Sequence, residues 1–123
     1  MAKGIPVGWH SITPRLVVDD PARLVEFLKQ AFEGKGDFRT DRPSQIRISD
    51  SLVMISGADA RTPMPSFLYL YVEDVDAVYR RTLDAGAVSL EEPADLFYGD
   101  RRGMVRDPFG NIWQIATHKG PAQ

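Results

Sequence analysis

Leu16-Val17-Val18-Asp19-Asp20-Pro21 is echoed 54 residues later by Leu70-Tyr71-Val72-Glu73-Asp74-Val75. Each is a short apolar run that ends in two acids and leads into an amphipathic segment. In the first, Leu24, Phe27, Leu28, Ala31 and Phe32 fall at i, i+3, i+4, i+7 and i+8, one continuous helical face. Asp20 is placed to cap that helix, Pro21 to occupy its first position, and Gly34 to stop it. In the second, Asp74 caps, Val75, Val78, Tyr79 and Leu83 form the buried stripe, and Gly86 ends the helix. Candidate strands follow both helices. They lie near 36–40, 44–49 and 52–57, with a tight turn at Asp50-Ser51, and near 87–92, 101–107 and 111–117, with a turn at Asp107-Pro108-Phe109-Gly110.

A unit repeated only twice is not a solenoid, which needs about three or more copies. It reads as one domain of two similar halves: a first module over about 11–57, a linker over 58–65 and a second module over about 66–118, flanked by short arms. The expected fold is α+β: two tandem βαβββ modules forming an open, curled mixed sheet, with the helices covering one face.

Composition agrees with one such domain. The chain has 123 residues, 43% of them hydrophobic, enough to build a core without staples. Fifteen basic against 17 acidic side chains give a net charge of −2, which argues against nucleic acid as a partner, since phosphate neutralisation needs a basic surplus. The absence of Cys removes disulfides, zinc fingers and cysteine nucleophiles together. No run approaches the roughly 18 apolar residues of a membrane span, and no apolar signal core opens the chain, so the expected setting is cytoplasmic.

Strand parity then sorts the side chains. Leu16 and Val18 share one side, as do Leu68, Leu70 and Val72, and these aliphatic positions belong under the helices. The opposite side carries Thr13, Arg15 and Val17 in the first module and Phe67, Tyr69 and Tyr71 in the second. Such aromatics serve either as a cross-strand cluster or subunit interface, or as the wall of a pocket for a mostly apolar ligand oriented by Arg15 and Gln114.

Tyr98-Gly99-Asp100-Arg101, Asp107-Pro108-Phe109-Gly110-Asn111, Trp113 and Ile115-Ala116-Thr117-His118 resemble the vicinal oxygen chelate superfamily, in particular its glyoxalase/bleomycin-resistance-like members. His10-Ser11-Ile12-Thr13-Pro14 and Leu70-Tyr71-Val72-Glu73-Asp74 extend the resemblance over roughly residues 8–118. It implies paired βαβββ modules around a cleft, usually in a homodimer. Catalytic members bind a divalent metal through His or Glu on the first and last strand of each module. Those positions fall here on Thr13, Met54, Phe67 and Gln114, none of them His, Asp or Glu, so no metal and no cofactor are expected. Tyr98, Asp100 and Arg101 match the family's cleft-bordering segment. The chain's two histidines, His10 and His118, flank the first and last strands and read as edge residues.

Two functions follow from the resemblance. The first is a metal-free protein that holds a small apolar or aromatic molecule, with Met54, Phe67, Tyr69, Tyr71 and Trp9 supplying contact area and Thr13, Arg15, Tyr98, Arg101 and Gln114 its polar border. The second is a metal-dependent lyase, isomerase or extradiol-type dioxygenase of the same superfamily with ligands elsewhere. The expected partners are a small-molecule ligand and a second copy of the chain, with neither nucleic acid nor membrane.

Overall fold

The computed structural model describes residues 4–59 and 61–120; the outermost residues of both arms and position 60 of the linker lie outside them. The first module is β1 (Arg15–Val17), α1 (Pro21–Phe32), β2 (Ser44–Ile48) and β3 (Ser51–Ser56). The second is β4 (Phe67–Tyr71), α2 (Val75–Asp84), β5 (Val88–Asp95), β6 (Asp100–Arg106) and β7 (Ile112–His118). The fold is α+β with two mixed sheets, ordered β1-β3-β2 and β4-β7-β6-β5, neither closed into a barrel. In each, the first strand runs parallel to the last, Arg15 opposite Met54 and Tyr69 opposite Gln114. The 54-residue repeat is therefore a repeat of pairing as well as of sequence.

The modules differ by one strand. The stretch near 36–40 forms none: Lys35 alone bridges to Arg47, and the chain then departs. Gly36 turns it at a φ of 138°, Arg39 N–H donates to Ser44 Oγ rather than to a ladder, and Pro43 has no N–H to offer. The hairpin after it also turns one residue earlier than its sequence suggests. Ile48 pairs with Ser51, which leaves Ser49 and Asp50 as the loop, with Ser49 at a φ of 56°.

Both helices are capped as their sequences indicate: Asp20 accepts from Arg23 N–H and Asp74 from Ala77 N–H. At the end of α1 the left-handed residue is Glu33, not Gly34. Gly34 serves packing instead, because a Cβ there would lie 2.8 Å from the Ile46 side chain. Leu24, Phe27, Leu28, Ala31 and Phe32 are buried as one face, with Val25 beside them.

The halves meet through their helices and share one core. Phe32 of α1 packs on Trp113 of β7 with ring centroids 4.8 Å apart, and Arg81 of α2 donates twice to the Ala31 carbonyl at 3.2 and 3.1 Å. Val17, assigned by parity to the open side, is nevertheless buried, and Met64 of the linker bridges to it along the sheet edge. Among the described residues no helix is long and apolar enough to cross a membrane.

Candidate functional site

The ladder of the second sheet decides which side chains share its open face. Residues paired directly across strands point the same way, and successive rows alternate between faces. Tyr69, Gln114 and Met104 therefore make one row of the open face, Tyr71, Ala116 and Arg102 the next, and His118 with Asp100 the third. Between them, Leu68-Trp113-Val105 and Leu70-Ile115-Gly103 point toward α2 and the core.

Asp100 organises this face. It is only 2% exposed, and its carboxylate accepts from Tyr69 OH at 2.6 Å, Tyr71 OH at 2.9 Å and His118 Nδ1 at 2.9 Å. To reach it, the tyrosines lean from β4 across β7, two strand spacings or about 10 Å. Ala116 lies beneath that crossing, fully buried, and its small side chain leaves the passage open.

Each phenol has one proton, which sets the direction of the network. Tyr69 spends its proton on Asp100, so the contact of 3.2 Å to Tyr98 runs from Tyr98 OH to Tyr69 Oη. The oxygen of Tyr98 accepts in turn from Arg102 Nη1 at 3.1 Å, and Arg102 also pairs with Glu91. Donation thus runs from Arg102 through Tyr98 and Tyr69 to Asp100. With its Nδ1–H given to Asp100, neutral His118 is left with a free lone pair on Nε2, on a side chain 57% exposed. Arg102 Nε is a buried donor that has no partner among the described residues.

Burial is the largest single influence on the Asp100 carboxyl and pushes its pKa up. The bonds from Tyr69, His118 and Tyr71 outweigh it and hold the group below the usual carboxylate range. Tyr69 is raised first by burial and then by its bond to Asp100, and Tyr71 chiefly by its bond to Asp100.

The signs then give a pH profile. A carboxyl depressed in the folded state stabilises above its ordinary value of 3.8, and that contribution disappears as pH falls through the folded value. Phenols raised in the folded state stabilise fully below their ordinary 10.0, and that contribution fades as pH climbs. The thermal midpoint is expected to fall on both flanks. In the folded chain, part of the 295 nm phenolate absorbance should emerge at higher pH than in the urea-unfolded chain; superimposable titrations would refute the network.

Of the residues singled out in the sequence, Tyr69, Tyr71, Tyr98 and Gln114 come together here. Phe67 extends the same face one row further on and is 67% exposed. Arg101 does not join them. Its parity turns it toward α2, where Nε and Nη2 hold the two oxygens of Asp76 at 2.9 and 3.1 Å and Nη1 reaches Asp95. Arg15 and Met54 are neighbours on the first sheet, and Arg15 borders a cavity of about 520 Å³ whose walls come from the first module and the linker. Thr13 precedes β1, half-buried; Trp9 sits in the turn that leads to it, and His10 is exposed.

The family resemblance already set Asp100 at the cleft border; Arg102 and His118 are the members it did not indicate. The signal for them lies in the hairpin: once Arg106 is set opposite Ile112, counting outward pairs Asp100 with His118.

The residues present do not fit a divalent ion. Thr13, Met54, Phe67 and Gln114 supply no charged or imidazole donor, and no group of three His, Cys, Asp or Glu side chains converges among the described residues. The Asp100 oxygens are already engaged by two phenols and an imidazole.

With this geometry in place, comparison with known proteins is decisive at family level. Residues 9–115 match the model of the Glyoxalase/Bleomycin resistance protein/Dioxygenase superfamily. The chain belongs to that superfamily. Among curated sequences it is 34% identical to the uncharacterized protein Mb0911c of Mycobacterium bovis, over 85% of this chain and 81% of that one. Among solved structures it resembles TioX from Micromonospora sp. ML1, with a TM-score of 0.77 and 24% identity over 89% of this chain and 98% of that one. A glyoxalase/bleomycin resistance protein/dioxygenase family enzyme from Burkholderia phytofirmans PsJN gives a TM-score of 0.74 at 17% identity, over 85% and 94% of the two chains. At these identities the structural likenesses establish the fold.

Proposed function

We propose that this superfamily member is a cytoplasmic, metal-free homodimer that binds a small, largely apolar or aromatic molecule on the open face of β4-β7-β6-β5. One observation carries the reading: buried Asp100 fixes Tyr69 and Tyr71 side by side, ring centroids 5.2 Å apart, as a pre-ordered aromatic wall. A wall fixed before binding loses little side-chain entropy when a ligand arrives. Phe67 continues the apolar surface, while Gln114, the Arg102 guanidinium and the His118 imidazole offer polar contacts around it. Covering roughly 200 Å² of ligand apolar surface contributes about 5 kcal/mol before ordering costs, enough for micromolar affinity. A second copy is proposed because Phe67, Tyr71 and Phe97 are all exposed large aromatic side chains, which a partner surface would cover.

The test is a thermal-shift and calorimetric screen of aromatic compounds. At least one should bind saturably, and Tyr69→Ala should weaken it by roughly 30-fold, as expected for an aromatic anchor worth about 2 kcal/mol. A panel without any stabilising compound, or binding indifferent to Tyr69→Ala, would overturn the reading. Near-stoichiometric metal in chelator-free protein would overturn the metal-free part, and a monomeric mass in solution the dimeric part.

A further inference from the structure

A groove of about 810 Å³ runs between the two modules, and residues from both strand faces reach it. It lies within the range of small-molecule sites, roughly 300–1,000 Å³. Phe32 and Ile48 of the first module and Leu70, Val72 and Val78 of the second give it an apolar lining, with Tyr71 at one wall. Around that lining stand Lys29, Lys35, Arg47 and Arg81 against a single carboxylate, Glu33. The whole chain carries a net charge of −2, so this excess of cations is local.

None of the four cations forms a salt bridge among the described residues. Arg81 is held by the Ala31 carbonyl, and Arg47 reaches only the Gly8 carbonyl at 3.4 Å. Lys35 and Arg47 are moreover direct cross-strand partners. Each N–H donates to the other's carbonyl, at 2.9 and 2.8 Å, which sets their α-carbons about 5.5 Å apart with both side chains on one side. Like charges in that arrangement repel, and nothing in the pairing itself compensates them. An anion lying between them would.

We propose that this groove binds an amphipathic organic anion: an aromatic or alkyl body against the apolar lining, with a carboxylate or phosphate between Lys35 and Arg47. Lys29 and Arg81 add to the field from the two helices. The site shares Tyr71 with the one on the Asp100 face, but its cations come from other elements, so each site is tested by its own variants.

The experiment titrates the intact chain with 1-naphthoate, 1-naphthyl phosphate and 1-naphthol, three probes with one ring system and different heads. At neutral pH at least one anion should bind tenfold or more tightly than 1-naphthol, and the preferred head identifies the class. Its affinity should fall as salt rises. Methyl chemical shifts of Ile48, Val72 and Val78 should move. The double variant Lys35→Gln/Arg47→Gln should lose at least tenfold in anion affinity without altering that of 1-naphthol. If that variant fails to fold, Lys29→Gln and the shift map of the unaltered chain carry the test. Equal affinities for the three probes, no saturable binding up to millimolar concentration, or shifts confined to the Tyr69 and Gln114 rows would overturn the proposal.

Discussion

Replacing Asp107 with alanine is expected to lower the thermal midpoint by more than about 10 °C, the largest loss from any single polar side chain in the molecule. Asp107 is 3% exposed and accepts four hydrogen bonds. Oδ1 takes the backbone N–H groups of Phe109 and Asn111, and Oδ2 takes Asn111 Nδ2 and the indole Nε1 of Trp113, all between 2.9 and 3.0 Å. Alanine would leave the buried Trp113 and Asn111 donors unpaired, at a cost of about 3–4 kcal/mol. The damage should spread beyond the turn, because Asn111 Oδ1 in turn accepts from Ser66 N–H and fixes the start of β4 against β7. Calorimetry decides the matter; a midpoint within a few degrees of the unaltered chain would mean that the turn holds itself.

Asp100→Asn should have the largest effect on the open face. An asparagine can present one acceptor oxygen, whereas Tyr69, Tyr71 and His118 together require a carboxylate with both oxygens free to accept. The amide oxygen would hold the two phenols by weaker, neutral bonds, and the NH2 would face His118 Nδ1, which must switch tautomer to accept it. The stability loss should be modest, about 2 kcal/mol, since the bonds weaken rather than vanish. The binding loss should be greater. A ligand found in the aromatic screen should bind Asp100→Asn at least tenfold more weakly, and the acid limb of the stability profile should flatten. Unchanged affinity and an unchanged acid limb would show that the tyrosines hold their places without the carboxylate.

Much of this architecture could be read before any coordinates. The offset between Leu16 and Leu70 predicted two similar halves, whose first strands run parallel to their last, and the caps at Asp20 and Asp74 marked both helix starts because capping is local chemistry. Local chemistry also set the limits. A strand was expected near 36–40, but only a partner can complete a ladder, and Gly36 and Pro43 steer the chain away from one. Val17 was assigned to the open side because parity does not report the tertiary packing that buries it beside the Met64 bridge.

The site was legible in part for the same reason. Parity put Tyr69 and Tyr71 on one face, yet their meeting with Asp100 depends on Ala116 leaving room two strands away. Parity applied to β6 would also have separated Arg101 from Asp100, since adjacent residues of a strand face opposite ways. Reading both as cleft residues from a family segment overlooked that rule, and Arg101 instead braces Asp76 on α2.

The stacking of Phe32 on Trp113 gives the repeated architecture a further consequence. Each half contributes one ring to a contact that only the intact chain can complete, so the tandem units are no longer interchangeable copies. A polypeptide severed in the linker would leave an unmatched aromatic on either fragment, and neither fragment would inherit a complete interior.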